Sequence, residues 1–222
     1  MSAEGAALCY RTVCVEGAEI LGRHAHPEVS MHTFPMSEYM RDVDAEGWAG
    51  AAELLLESAN KLVAAGAEIL ISPDNTIHEA LDLVRDRAPA PWLHIAEEVG
   101  AVAGERGFKR LGILGTRYLM EGPVYRTKLA ARGIAFEIPG PEARERINSI
   151  IFDDLVYGRF LDRDRDYFSG AIRELAARGC DAVVLGCTEI PLIISDADSV
   201  LPTLPSTQIL ARAALREATR SA

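Results

Sequence analysis

One spacing constrains this chain more than any other feature. A segment built as glycine, acidic residue, apolar run and reactive side chain occurs twice, first as Gly66-Ala67-Glu68-Ile69-Leu70-Ile71-Ser72-Pro73-Asp74 and again as Gly179-Cys180-Asp181-Ala182-Val183-Val184-Leu185-Gly186-Cys187. Gly66 and Gly179, Glu68 and Asp181, and Asp74 and Cys187 share one offset, since 179 − 66, 181 − 68 and 187 − 74 all give 113. A short apolar run rich in β-branched residues predicts a strand buried on both faces. Each run follows an amphipathic helical stretch ending in glycine. Ligands of open α/β sheets bind beyond the carboxyl ends of the strands. The repeat therefore predicts an α/β protein of two pseudo-symmetric lobes, each a parallel sheet flanked by helices, with Asp74 and Cys187 facing one another across the cleft between them.

The remaining pattern alternates helices with strands, as a parallel sheet requires. Helices are expected at 4–21, 46–65, 77–84, 96–105, 122–132, 141–157, 164–178 and 207–219, the last capped by Ser206 or Thr207. Strands are expected at 28–34, 67–72, 92–95, 110–114, 134–138 and 181–185. This divides the chain into an N-terminal lobe, 1–96, completed by the C-terminal helix within 205–222, and a C-terminal lobe, 97–204. By the offset of 113, Gly115 corresponds to residue 2, so the counterpart of the 110–114 strand is expected to lie before Met1. Ser2 to Gly5 then reads as the tail of the loop that follows it.

Charge narrows the partners. Lys and Arg total 23 against 33 Asp and Glu, a net charge of −10, which argues against nucleic acid and anionic membranes. The four cysteines, Cys9, Cys14, Cys180 and Cys187, have neither metal-type spacing nor the density of a disulfide framework, and no apolar run is long enough to span a bilayer; a reducing cytoplasm is expected. His24, His26 and His32 lie close in sequence without a carboxylate or thiol to complete a metal site. A thiol at the end of a strand and near a helix N-terminus is expected to be biased toward thiolate, which would make Cys187 the first of the four to react with iodoacetamide. Asp74 opposite it would raise the thiol pKa by like-charge repulsion and titrate with it as a pair. Asp74 can also cap the helix beginning near Ile77.

Gly186-Cys187-Thr188-Glu189-Ile190-Pro191 and Pro73-Asp74-Asn75-Thr76-Ile77-His78 resemble the two signatures of the aspartate/glutamate racemase superfamily, which includes amino-acid racemases, hydantoin racemase, maleate isomerase and arylmalonate decarboxylase. Ile147-Asn148-Ser149-Ile150-Ile151, Leu155 to Gly158 and Pro202 to Thr207 extend the resemblance over nearly the whole chain. The first signature usually has Cys-Asn-Thr; here it is Asp74-Asn75-Thr76. The resemblance implies a racemase-type enzyme working without cofactor or metal at the α-carbon of an amino acid or related carboxylate. Cys187 would be the acid/base on one face and Asp74 its partner on the other. Asn75, Thr76 and Thr188 would donate to the substrate carboxylate, Glu189 would bind its amine, and His78 would orient Asp74 or touch substrate. A one-cysteine decarboxylase of malonate type and a non-catalytic carboxylate binder are the alternatives, and homodimer formation is left open. No lysine stands in 149–158, where the family often has one to hold a distal carboxylate. Arg159 and Arg41 are the nearest cations by sequence, which weighs against aspartate or glutamate as substrate.

Overall fold

The computed structural model describes residues 2–220, with the backbone alone at 42 and 44–46. The N-terminal lobe runs α1 (Ala3–Leu21), α2 (Met36–Glu46), α3 (Trp48–Ala64), β1 (Leu70–Ile71), α4 (His78–Val84) and β2 (Trp92–Leu93). The C-terminal lobe follows with α5 (Ile95–Glu105), β3 (Arg110–Leu114), α6 (Arg117–Glu121), α7 (Pro123–Ala130), β4 (Ala135–Glu137), α8 (Pro141–Asp153), α9 (Asp162–Ala177), β5 (Ala182–Leu185) and β6 (Thr203–Pro205). The closing helix is α10 (Ser206–Ala218). All pairings are parallel. The first sheet is β1-β2, with Leu70 beside Trp92; the second has the order β4-β3-β5-β6. The offset of 113 sets β1 onto β5 and β2 onto β6.

β5 is the central strand of the larger sheet, and its side chains alternate between two cores. Val183 and Leu185 join Ile147, Ile150, Phe168, Ile172 and Leu175 on one face. Ala182 and Val184 join Leu111, Ile113, Val99 and Leu129 on the other. Each such aliphatic side chain contributes about 1.5–3 kcal/mol on burial, so the strand that delivers Cys187 is held from both sides. Asp181 fixes its start: its carboxylate accepts the backbone N–H of Lys109 at 2.6 Å and of Arg110 at 3.1 Å, locking β5 to β3. α10 packs on α1, α5, β1 and β2, joining the two sheets.

Several expected elements differ. Residues 28–34 form no strand. Their alternation leaves Val29 38% and Met31 59% exposed, and an alternating run with no buried face and no sheet edge to pair with has nothing to hold it extended in a ladder. The strand expected at 67–72 contracts to two residues for a related reason: β1 is paired along β2 alone among the described residues. α2 and α6 were not anticipated. Gly47, at φ +66°, separates α2 from α3 where a single helix from residue 46 was expected. Neither Ser206 nor Thr207 caps α10, which follows Pro205 without a side-chain cap. Their hydroxyls turn inward instead, to the carbonyls of Leu185 and Pro73.

Candidate active site

Three strand ends converge. The loops after β1, β3 and β5 bring Asp74, Thr116 and Cys187 to the lining of one cavity. Glycines permit the close approach of the two C-terminal-lobe loops. A β-carbon on Gly115 would meet the Gly186 carbonyl at 2.9 Å, and one on Gly186 would meet the Leu114 carbonyl at 2.7 Å. α1 closes the cavity on another side. Gly5 lies so close to Thr188 that a β-carbon there would fall 2.3 Å from the threonine Cβ. Ser2, the N-cap of α1, accepts the Gly5 N–H at 3.0 Å and donates to Glu189.

Cys187 and Glu189 are both buried in this cavity wall. The thiol Sγ donates to Glu189 Oε2 at 2.7 Å. Burial, then the Glu189 carboxylate, and more weakly Asp74 push the thiol pKa well above its ordinary value. This reverses the expected bias toward thiolate. The first helical structure after Cys187 is a 3₁₀ turn at Ile190–Leu192, too short and too late to offset two carboxylates in a desolvated wall. In the unliganded protein Cys187 is therefore a thiol, ready to give a proton and not to take one.

Asp74 serves two ends. Its Oδ1 accepts the N–H of Thr76 at 2.8 Å and of Ile77 at 3.3 Å, capping the turn into α4, while the residue lines the same cavity as Cys187. Thr76 Oγ1 pairs with Thr116 Oγ1 at 2.9 Å across the lobes, and Thr116 in turn caps α6 through the Leu119 N–H at 3.2 Å.

Of the expected substrate contacts, Asn75 lines the cavity with its carboxamide already engaged, and His78 lies outside the lining. Asn75 is buried, and its carboxamide is engaged: Nδ2 donates to Ser206 Oγ at 2.8 Å and Oδ1 accepts the Tyr125 hydroxyl at 2.7 Å. It braces the lobes, leaving Thr76 and Thr188 as the side-chain donors of the two signatures. His78 is fully buried outside the cavity lining. Its Nε2 bonds the Ser72 carbonyl at 2.8 Å, and its ring lies 4.5 Å from that of His94. Burial, and then His94, lower its pKa to about 3, so it is a neutral strut under the loop that carries Asp74. His32 bonds Ser58 at 2.9 Å and His26 bonds the Pro27 carbonyl at 2.8 Å. No group of three or more His, Cys, Asp or Glu among the described residues is arranged to hold a metal, and no helix among them is long and apolar enough to cross a membrane.

The rest of the wall was not anticipated. Tyr39 comes from the unforeseen α2; burial and then the nearby Asp74 charge raise its phenol pKa. Tyr118 comes from α6, and Ile151 and Phe152 from α8. Ile151 and Phe152 lie within 149–158, the stretch the resemblance had pointed to for contact with the distal part of the substrate.

A model of the family described as Asp/Glu/Hydantoin racemase matches residues 6–214. A glutamate racemase of Persephonella marina is 24% identical over 159 residues, 67% of this chain and 56% of that protein, so the chain spans little more than half the length of this curated relative. Two crystal structures superpose closely. One, a candidate Asp/Glu racemase from Yersinia pestis, is 31% identical with a TM-score of 0.88, covering 97% of this chain and 94% of the other. The second, an aspartate racemase homologue from Pyrococcus horikoshii, is 27% identical with a TM-score of 0.84 over the same shares.

Proposed function

Because the chain belongs to the Asp/Glu/Hydantoin racemase family, we propose that it is an isomerase that moves the α-proton of an amino acid or related small carboxylate without a cofactor, Cys187 and Asp74 acting on opposite faces. The observation that carries this reading is that the two residues end equivalent strands of the two lobes and line a single cavity. The Asp74 carboxylate takes the α-proton from one face, while the Cys187 thiol gives its proton to the other. The products are the enantiomer, protonated Asp74 and a Cys187 thiolate; the reverse turnover restores the pair. Negative charge that develops on the substrate carboxylate is met by the hydroxyls of Thr76 and Thr188 and by backbone N–H groups of the two loops.

Glu189 is the amine site. A substrate ammonium placed against it replaces Ser2 as partner and cancels the charge that holds Cys187 protonated. The thiolate needed in the reverse direction thus becomes accessible when substrate is present, at a site with an otherwise unfavourable electrostatic environment.

The test is loss of the α-proton signal in D₂O. Wild-type protein is expected to exchange and invert both enantiomers of its substrate, and Cys187→Ala to invert neither and to lose exchange of at least one while keeping its melting midpoint. Undiminished exchange by Cys187→Ala refutes the assignment. A second reading is favoured by the protonated thiol, which can also quench an enolate from one face after decarboxylation of a substituted malonate. Release of carbon dioxide from such a substrate identifies it.

A further inference from the structure

Resting on the racemase reading, we propose that the side-chain end of this cavity selects α-amino acids with uncharged apolar or aromatic side chains and rejects aspartate and glutamate. The wall above the reacting loops is made by Met36 and Met40 of α2, Tyr118 of α6, Ile151 and Phe152 of α8, and Val156 in the turn that follows. Among the described residues that line the cavity there is no lysine, arginine or histidine. Its two ionised side chains are carboxylates, and both sit at the reacting end: Asp74 on the N–H groups of Thr76 and Ile77, Glu189 on Cys187 and Ser2.

Three cations nearby in sequence are committed elsewhere, and Arg41 is not in the cavity lining. Arg117 pairs with Glu145 at 3.2 Å, Arg159 with Asp154 at 3.2 Å, and Arg165 with Asp162 at 2.5 Å; none lines the cavity. A substrate with a second carboxylate would bring that charge out of water with no partner, into a cavity that already holds two negative groups. Desolvation and like-charge repulsion both oppose this. A cationic side chain fares little better. The carboxylates that could receive it are used at the α-carbon, and the far wall offers thioether, aliphatic and aromatic surface. An apolar side chain meets that surface without loss and excludes water from it.

The experiment compares α-proton exchange in D₂O for leucine, methionine and phenylalanine against aspartate, glutamate and lysine, each as both enantiomers. The apolar set is expected to show kcat/KM at least about 100-fold above the acidic set, the scale on which sites reject groups they cannot pair. Faster exchange of aspartate or glutamate overturns the side-chain assignment and leaves the racemase reading standing. Exchange of none of the six refutes that reading for amino acids, and binding then decides the side-chain assignment. In calorimetric titration of Cys187→Ser protein with the same compounds, heat from methionine or phenylalanine but not from aspartate supports it; heat from aspartate, or from none, overturns it. Val156→Lys supplies the missing cation at a half-buried position and is expected to shift the ratio of aspartate to methionine binding upward by roughly tenfold. An unchanged ratio overturns the placement of the side chain against this wall.

Discussion

Replacing His78 with glutamine is expected to change how stability depends on pH more than stability itself. The ring is wholly buried, Nε2 holds the Ser72 carbonyl at 2.8 Å, and Nδ1 has no partner. The groups around it are His94, with its ring 4.5 Å away, and the Asp82–Lys128–Glu97 cluster beyond, where Asp82 lies 3.5 Å from His94 Nε2 and Lys128 bridges Asp82 and Glu97 at 3.0 and 3.2 Å. The His78 pKa falls from 6.5 to about 3 on folding. A depressed folded-state pKa means that the unfolded chain takes up the proton first, so the contribution is present above pH 6.5 and is lost as pH falls. Between pH 7 and pH 5 the unfolded chain gains about 0.7 of a proton at this residue and the folded protein almost none, which integrates over the window to a loss of about 2 kcal/mol at 1.36 kcal/mol per pKa unit. At about 2–4 °C per kcal/mol for a protein of this size, the melting midpoint should fall by about 4–8 °C from this residue alone. Glutamine can keep a donor to Ser72 and cannot titrate. The wild type is therefore expected to lose about 2 kcal/mol more than His78→Gln between pH 7 and pH 5, a window that largely precedes titration of Asp82 and Glu97, both held down to about 2. Urea midpoints across that range measure it. Parallel curves for the two proteins would show that His78 is not a buried neutral group.

Alkylation by iodoacetamide at pH 8 is expected to reach partly exposed Cys14 before Cys187, which is 8% exposed and protonated. Glu189→Gln removes the main charge that opposes thiolate and should speed Cys187 labelling roughly tenfold or more, one pKa unit per decade; equal rates by peptide mass spectrometry contradict the role given to Glu189. Asp74→Asn keeps an acceptor for the Thr76 and Ile77 N–H groups and should unfold at the wild-type urea concentration, whereas Asp74→Ala should lose about 1 kcal/mol of capping. Both are expected to abolish α-proton exchange, and an Asp74→Asn protein that racemises normally would reduce Asp74 to a cap.

The strand that delivers Cys187 was legible because it is a buried run whose composition does not depend on neighbours far away, whereas the one before Asp74 was read too long, since only Leu70 of residues 67–72 is buried. Val183, Val184 and Leu185 read as a central strand whatever surrounds them. Glu28 to Phe34 failed the same reading because alternation specifies a strand only where one face is covered, and here Met31 points into solvent. α2 was missed although its apolar residues Met36, Tyr39, Met40 and Val43 stand at i, i+3, i+4 and i+7, the spacing of one helical face. Its Pro35 start carries no side-chain cap, and its interior mixes Met36, Tyr39 and Met40 with charged residues. Met36, Tyr39 and Met40 line the cavity, so the helix left out of the sequence reading supplies part of its wall.

The pKa of Cys187 was misread for a reason of scale. A cysteine at a strand end invites the rule that helix N-termini favour anions, but that effect is typically 0.3–1 kcal/mol and fades within a turn. Burial beside a carboxylate is worth several times as much, and sequence shows Glu189 two residues on without showing that its side chain folds back onto the sulfur. For Asn75, sequence likewise shows the position without the partners of the side chain. The signature places it beside Asp74, yet its carboxamide is spent on Tyr125 and Ser206, and the Ser206 hydroxyl goes on to the Leu185 carbonyl at 2.8 Å. That chain runs from the Asp74 loop, through α7 and α10, to the last residue of the strand that presents Cys187. Each buried group in it, left unpaired, costs about 1–3 kcal/mol, so the lobes cannot slide against one another without a penalty. An acid/base pair drawn from two separate sheets needs such a constraint, because proton transfer on opposite faces of one carbon fails when either group shifts by about 1 Å. In the mechanism proposed above, Asn75 would act on the reaction by holding Asp74 and Cys187 at a fixed separation.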